Sequence, residues 1–377
     1  MNKFLLATTA LVASTTFAMA DVDLSGTAEM GIFGGTDIDA QFHTDIDVTF
    51  SMSGETDAGL TFGASVDLDE QIGDNNADDG LGESGATRND ADDGGATIFV
   101  SGTYGTLTMG DTDGALDFVM TEAIIGGSLG DNHEHLGYNG NSGFDGDYDG
   151  QVARYDYSFG DFAVAISAEI DDDNDEIDFD DDFDGVIDRT DEIDNDTILG
   201  IGVRYTGQFA NVSFGAGLGY QRSGNTFPVD TDGDDKFDDT DDITGEVVGL
   251  SLDMKMDNGL QAILNYSTYN DSTLVIVEDN DDVDDGDIVA VVGDLDKHYG
   301  LAVGYEFGSF LVAANYGKFD TNNGDLSGWG LVVNYDLGGG AELQAGYGHN
   351  KVDEDFDDGR DDDFDFDTYS FGIAMSF

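Results

Sequence analysis

The sequence predicts an all-β protein: a transmembrane antiparallel β-barrel of sixteen strands, with short turns on one side and long acidic loops on the other. Three observations point there. Apolar residues alternate with small or polar ones at period two over many segments. The links between those segments alternate between tight and long. After the first twenty residues, no apolar run approaches the ~18 residues of a spanning helix.

Residues 1–20 read as an export signal. Lys3 supplies a positive start, Phe4 to Ala13 an apolar run too short to cross a bilayer, and Ala18-Met19-Ala20 a cleavage site. A single barrel domain is expected over 21–377. Its first strands fall at 22–33, 39–53 and 58–69; in the second, Phe42, Ile46, Val48, Phe50 and Met52 oppose His43, Asp45, Asp47, Thr49 and Ser51. Strands follow at 95–103, 104–112, 150–159, 162–170, 197–206, 209–221, 244–256 and 259–270. In 297–307, Tyr299, Leu301, Val303, Tyr305 and Phe307 alternate with Gly300, Ala302, Gly304 and Glu306. The series closes with 309–319, 326–336, 341–350 and 366–377, where Tyr369, Phe371, Ile373, Met375 and Phe377 share one face. Long connections are expected at 70–94, 113–149, 171–196, 222–243, 271–296 and 351–365. A soluble sandwich would bury its apolar faces against a second sheet; a membrane barrel turns them to lipid and encloses a polar lumen.

Composition fits this reading. The chain has 54 Gly, one Pro, no Cys, and 82 acidic against 12 basic residues, for a formal net charge of −70. Most acids fall in the long connections, on a solvated rim. So negative a chain is excluded as a nucleic-acid partner, which needs clustered Lys and Arg. Without Cys there are no disulfides, so the closed sheet must supply stability. No Ser/His/Asp order, nucleophile elbow or phosphate loop points to catalysis. Sixteen strands enclose enough space for an aqueous channel.

Parity places Asp45, Asp47, Asp67, Asp69, Asp156, Arg154 and Arg204 on lumen faces. An outward Arg154 near mid-membrane would cost about 2–4 kcal/mol, and Asp156 is its same-face neighbour. Three Asp-rich segments are candidate Ca2+ sites. Asp180, Asp182, Asp184, Asp188 and Asp191, with Gly185 and Ile187, match an alternating-carboxylate calcium loop. Asp145, Asp147 and Asp149 before Gly150 form a shorter match; Asp230, Asp232 and Asp234 lack the glycine. In segments this rich in Asp, such spacing also arises by chance. His133-Glu134-His135 reads as a surface loop rather than a metal pair.

Phe50-Ser-Met-Ser-Gly-Glu-Thr-Asp-Ala-Gly-Leu-Thr-Phe-Gly-Ala-Ser65 resembles the second hairpin of alphaproteobacterial general porins. Phe99-Val-Ser-Gly-Thr-Tyr-Gly-Thr-Leu-Thr-Met-Gly-Asp111 resembles their strand-turn-strand before the third loop. Arg154–Phe162, Tyr335–Gly340 and the terminal Phe377 fit as well. The resemblance implies an outer-membrane homotrimer, a third loop folded inward as a constriction, and passive diffusion of small hydrophilic solutes. It also implies that Asp117 and Glu122, in that loop, face the pore. Family members commonly carry Arg on the second strand, where this chain has Asp45 and Asp47, so a cation-preferring channel is expected. A substrate-selective channel and a calcium-bound structural surface barrel are the alternatives.

Overall fold

The computed structural model describes residues 21–36, 38–69, 95–146, 151–170, 176–179, 189–192, 196–229, 239–276, 290–322, 324–354 and 364–377. Within them sixteen strands close into one antiparallel barrel. They are β1 (Asp21–Gly35), β2 (Ile38–Glu55), β3 (Thr61–Asp69), β4 (Ala96–Gly102), β5 (Gly105–Asp111), β6 (Gln151–Phe159), β7 (Phe162–Glu169) and β8 (Asp196–Phe209). The second half is β9 (Val212–Val229), β10 (Asp239–Met256), β11 (Leu260–Asn270), β12 (Ala290–Phe307), β13 (Phe310–Thr321), β14 (Gly324–Gly338), β15 (Ala341–Glu354) and β16 (Phe364–Ser376). Each pairs with its sequence neighbour, and β16 returns to β1 over Thr27↔Ser376 to Gly35↔Thr368. The Phe377 N–H donates to the Gly26 carbonyl at 2.9 Å, so pairing runs to the last residue. Closure satisfies the backbone groups that lipid cannot.

Alternation then sets two faces. Outward positions carry large apolar side chains left open to the surroundings, such as Phe42 at 88% and Ile98 at 64% exposure. A continuous exposed apolar surface of this kind marks a membrane wall. Toward the short turns, Tyr157, Phe159, Phe162, Tyr205 and Phe214 form a chain of ring contacts, as do Tyr305, Phe307, Phe310 and Tyr335. Such amphipathic rings sit where hydrocarbon gives way to headgroups.

All sixteen expected strands are present, but several run further than expected. The segment 222–243, expected as a loop, is largely paired strand: Val212–Val229 and Asp239–Met256 keep their register up to Val229↔Asp239. Likewise β12 begins at Ala290 and pairs there with the short strand Thr273–Ile276. In 171–196, Glu176–Phe179 pairs with Arg189–Glu192. Beyond the bilayer a hydrogen-bonded ladder needs no apolar face, so alternation in hydropathy ends before the strands do.

The packed core lies inside the barrel, between its wall and the connection after β5. There α1 (Ala115–Val119) buries Ala115, Leu116 and Val119 with Met120 against Ala165 and Val247. Further along, Ile125 packs with Ala302, Ala313 and Val332, and Leu136 with Leu326 and Val352.

Candidate functional site

The connection 112–146 runs around the inner wall and touches most strands. The wall accepts it because inward positions are small or amide-bearing. Gly217, Gly317 and Gly330 leave room for loop carbonyls: a Cβ on them would lie 2.1 Å from Val119 O, 1.8 Å from Gly137 O and 1.8 Å from His133 O, respectively. Wall side chains then satisfy the loop backbone. Ser167 Oγ accepts from Ala115 N–H at 2.8 Å, Ser251 Oγ from Thr121 N–H at 3.0 Å, and Asn350 Oδ1 from Leu136 N–H at 2.8 Å. Asn334 Nδ2 donates to Gly127 O at 2.8 Å and Asn315 Nδ2 to His133 O at 3.2 Å. Buried polar backbone demands such partners.

The two lumen arginines hold the start of the loop. Arg154 donates to the Asp113 carbonyl, stacks over the Phe118 ring at 4.2 Å, and lies 3.9 Å from Asp156. Arg204 donates to Thr121 Oγ1 at 2.7 Å and pairs with Asp253 at 2.5 Å. Across the lumen, β1 to β3 present acids. Glu29 stands opposite Asp45 in register, Asp47 opposite Asp69, and Asp67 opposite Thr49. Asp47 accepts from Thr27 Oγ1 at 2.5 Å and Asp67 from Thr49 Oγ1 at 2.9 Å. Glu29 accepts the Gly130 N–H at 3.0 Å and meets His43 Nε2 at 3.1 Å.

Asp117 and Glu122 occupy the loop itself, half-buried, with Tyr138 O–H donating to Glu122. Burial pushes the Asp117 carboxyl up to about 8, with Asp113, Glu122 and Asp145 adding to the rise and Arg154 opposing it. Burial likewise raises Glu134 to about 8, helped by Asp131 and Glu122. Raising the pH through about 8 therefore deprotonates both groups and makes the loop more negative. If the loop lines the bore, potassium preference should climb from about pH 6 to about pH 9, read as a growing zero-current potential in a KCl gradient. A potential that stays flat over that span would contradict this placement.

His133 and His135 are not at the surface, as expected from sequence, but buried between loop and wall. The Gly330 and Gly328 positions lie directly beneath them. Burial lowers His133 to about 4; burial with His298 and His133 lowers His135 to about 3, so both are neutral at pH 7. Among the described residues no three His, Asp or Glu side chains converge on a metal-sized site. Asp180, Asp182, Asp184, Asp188, Asp147, Asp149, Asp230, Asp232 and Asp234 lie outside the described residues, and Asp191 is described only as strand backbone. Asp145 is described, and its oxygens accept from Gly114 N–H at 2.8 Å and Gln221 Nε2 at 2.5 Å, pinning both ends of the loop. Glu29 and Asp253 escaped the sequence reading. Their alternation with Met30 and Ile32, and with Leu252 and Met254, was the signal that could have found them.

Comparison with known proteins agrees with this geometry. A family model described as Gram-negative porin matches residues 7–355. The chain is 30% identical over 352 residues to a porin of Rhodobacter capsulatus, covering 88% of this chain and 95% of that protein. A porin structure refined at 1.8 Å superposes with a TM-score of 0.60 at 26% identity, covering 95% of this chain and all of the other. A loop-deletion form of OmpT, an outer-membrane protein of Vibrio cholerae, shares the fold at 16% identity, with a TM-score of 0.58 and coverage of 95% and 99%. The chain belongs to the Gram-negative porin family: it is a channel of the bacterial outer membrane, not an enzyme.

Proposed function

We propose that the channel passes small hydrophilic solutes by diffusion, prefers cations, and is narrowed by the loop 112–146. The observation that carries the reading is an imbalance of pairing. Arg154, Arg204, Arg222, Lys255, Lys297, Lys318 and Lys351 each lie within ion-pair distance of an acid. Among the described residues no Lys or Arg pairs with Glu29, Asp45, Asp47 or Asp67. Lumen carboxylates without a Lys or Arg beside them attract cations and repel anions, and the acidic rim concentrates cations further. Single-channel recording tests the class of channel: ohmic steps that do not saturate with solute support diffusion. Saturable block by one sugar would instead make it substrate-selective.

The assembly we propose is a homotrimer, because part of the wall is low. β4 and β5 have 7 residues each. At a strand rise of ~3.3 Å and a tilt of ~40°, that is roughly 18 Å of wall, less than the ~25 Å apolar band of a barrel facing lipid. Neighbouring copies would cover this side. Mass measurement in mild detergent at three times the chain mass supports it, and a monomer overturns it.

Calcium binding in the acidic loops is a further part of the proposal. The candidate segment Asp180–Asp191 starts directly after Phe179 and ends within the strand Arg189–Glu192 that pairs with Glu176–Phe179, so its two ends lie together. Calcium at ~100 times its Kd would add about 2.7 kcal/mol of stability, so chelation should lower the melting temperature. Sodium at matched ionic strength separates screening from coordination; if it restores everything, no specific site is needed. The expected removal of residues 1–20 is read out by N-terminal sequencing of the exported protein, which should begin at Asp21.

A further inference from the structure

The midpoint of the loop 112–146 is held differently from the stretches on either side. Those stretches pack apolar side chains against the wall and lay backbone over inward glycines. At the midpoint, Leu129–Asp131 makes a single 3-10 turn. It enters the left-handed region twice, with Gly130 at φ +53° and Asp131 at φ +50°. Glycine adopts that conformation freely, whereas a residue with a Cβ does so at a cost. Such a turn persists where its surroundings fix it.

Two wall contacts surround it. Leu129 is fully buried and fills the space left by Gly31 on β1 and Gly372 on β16, where a Cβ would lie 2.3 Å and 2.5 Å from its Cδ1. The next residue turns its N–H to the wall: Gly130 donates to Glu29 Oε2 at 3.0 Å. The same oxygen meets His43 Nε2 at 3.1 Å. A carboxylate only accepts, so Nε2 carries the shared proton. The His43 side chain is 1% exposed and that of Glu29 21%; the ring is fixed in the wall and orients the carboxylate against the loop. Bonds to a charged acceptor are the stronger ones. A Cβ at 130 would also press within 3.3 Å of His43 Cε1, so only glycine lets the turn close on this pair.

We propose that Glu29, oriented by His43, is the positioning residue for the midpoint of the loop, a latch as well as a lumen charge. Its effect on conductance rests on the loop's narrowing of the channel; its hold on the loop does not. Hydrogen–deuterium exchange of the folded oligomer, followed in peptides that span Gly130, tests the hold. Glu29→Ala removes the acceptor and should speed exchange there at least about tenfold, equivalent to ~1.4 kcal/mol. Glu29→Gln removes the charge but keeps a carbonyl oxygen for the Gly130 N–H, and should restore most of the protection. His43→Leu, which loses the donor to Glu29, should also loosen the turn, and His43→Gln should restore it. In single-channel records Glu29→Ala should add fluctuating substates, while Glu29→Gln keeps uniform steps; both should lower potassium preference. Equal protection in wild type and Glu29→Ala overturns the latch, as does a Glu29→Gln variant that exchanges as fast as Glu29→Ala. Fast exchange in Glu29→Ala alone, with uniform steps, supports the latch and shows instead that the loop does not narrow the channel.

Discussion

Replacing Gly330 by valine should unseat the third loop and turn uniform conductance steps into noisy, heterogeneous ones. A Cβ at 330 would lie 1.8 Å from His133 O and 2.3 Å from Asn315 Oδ1, where no real Cβ can stay. The obstacle is loop backbone, not the tip of a flexible chain, so either loop or strand must move. Strand β14 is held on both sides by its neighbours, and the loop therefore yields. Overpacking of this kind costs about 1–3 kcal/mol, and losing the Asn315–His133 bond adds about 1 kcal/mol. Each 1.4 kcal/mol is a tenfold change in equilibrium, enough to populate undocked loops. Gly317→Ala should act alike from β13, since its Cβ would meet Gly137 O at 1.8 Å. Folded variants that keep uniform wild-type steps would show that the loop does not set the bore.

Substituting Asp45 and Asp47 together by arginine should have the largest effect on selectivity. Two negative charges become two positive ones on one wall, facing a lumen whose other wall carries the acidic loop. Arg at 45 would stand opposite Glu29 in register, so the new charges can be held in place. Potassium preference should fall sharply at low salt and the difference should fade at high salt. The screening length shrinks from ~10 Å at 0.1 M to ~3 Å at 1 M. Selectivity that ignores the double substitution would place the deciding charge on the rim instead.

The wall was legible in the sequence because two solvents enforce it: lipid requires Phe371, Ile373 and Met375 on one face, and small or polar residues such as Ser370, Gly372 and Ala374 stand on the other. Where lipid ends, that signal ends. Residues 222–229 and 239–243 pair above the membrane through Thr226, Pro228, Asp241 and Asp242 without an apolar stripe, so they read as loop. The seat of the third loop was half-visible. Gly328 and Gly330 alternate with Trp329 and Leu331, marking small inward positions, but only the fold shows that His133 and His135 rest on them. Those histidines looked superficial because a loop folded into a lumen has no periodicity to betray its burial. Asp253 shows the converse: parity could have placed it beside Arg204, yet a lone carboxylate in so acidic a chain drew no notice.

The zero-current potential of the wild-type channel in a tenfold KCl gradient, at low ionic strength with a chelator present, tests the central claim most directly. Glu29, Asp45, Asp47 and Asp67 have no Lys or Arg partner among the described residues, while Arg154, Arg204, Arg222, Lys255, Lys297, Lys318 and Lys351 each lie beside an acid, which predicts a potential of the sign given by potassium permeation. It should shrink as both solutions are raised in salt. A potential of the opposite sign under these conditions, reporting chloride preference, would contradict the account.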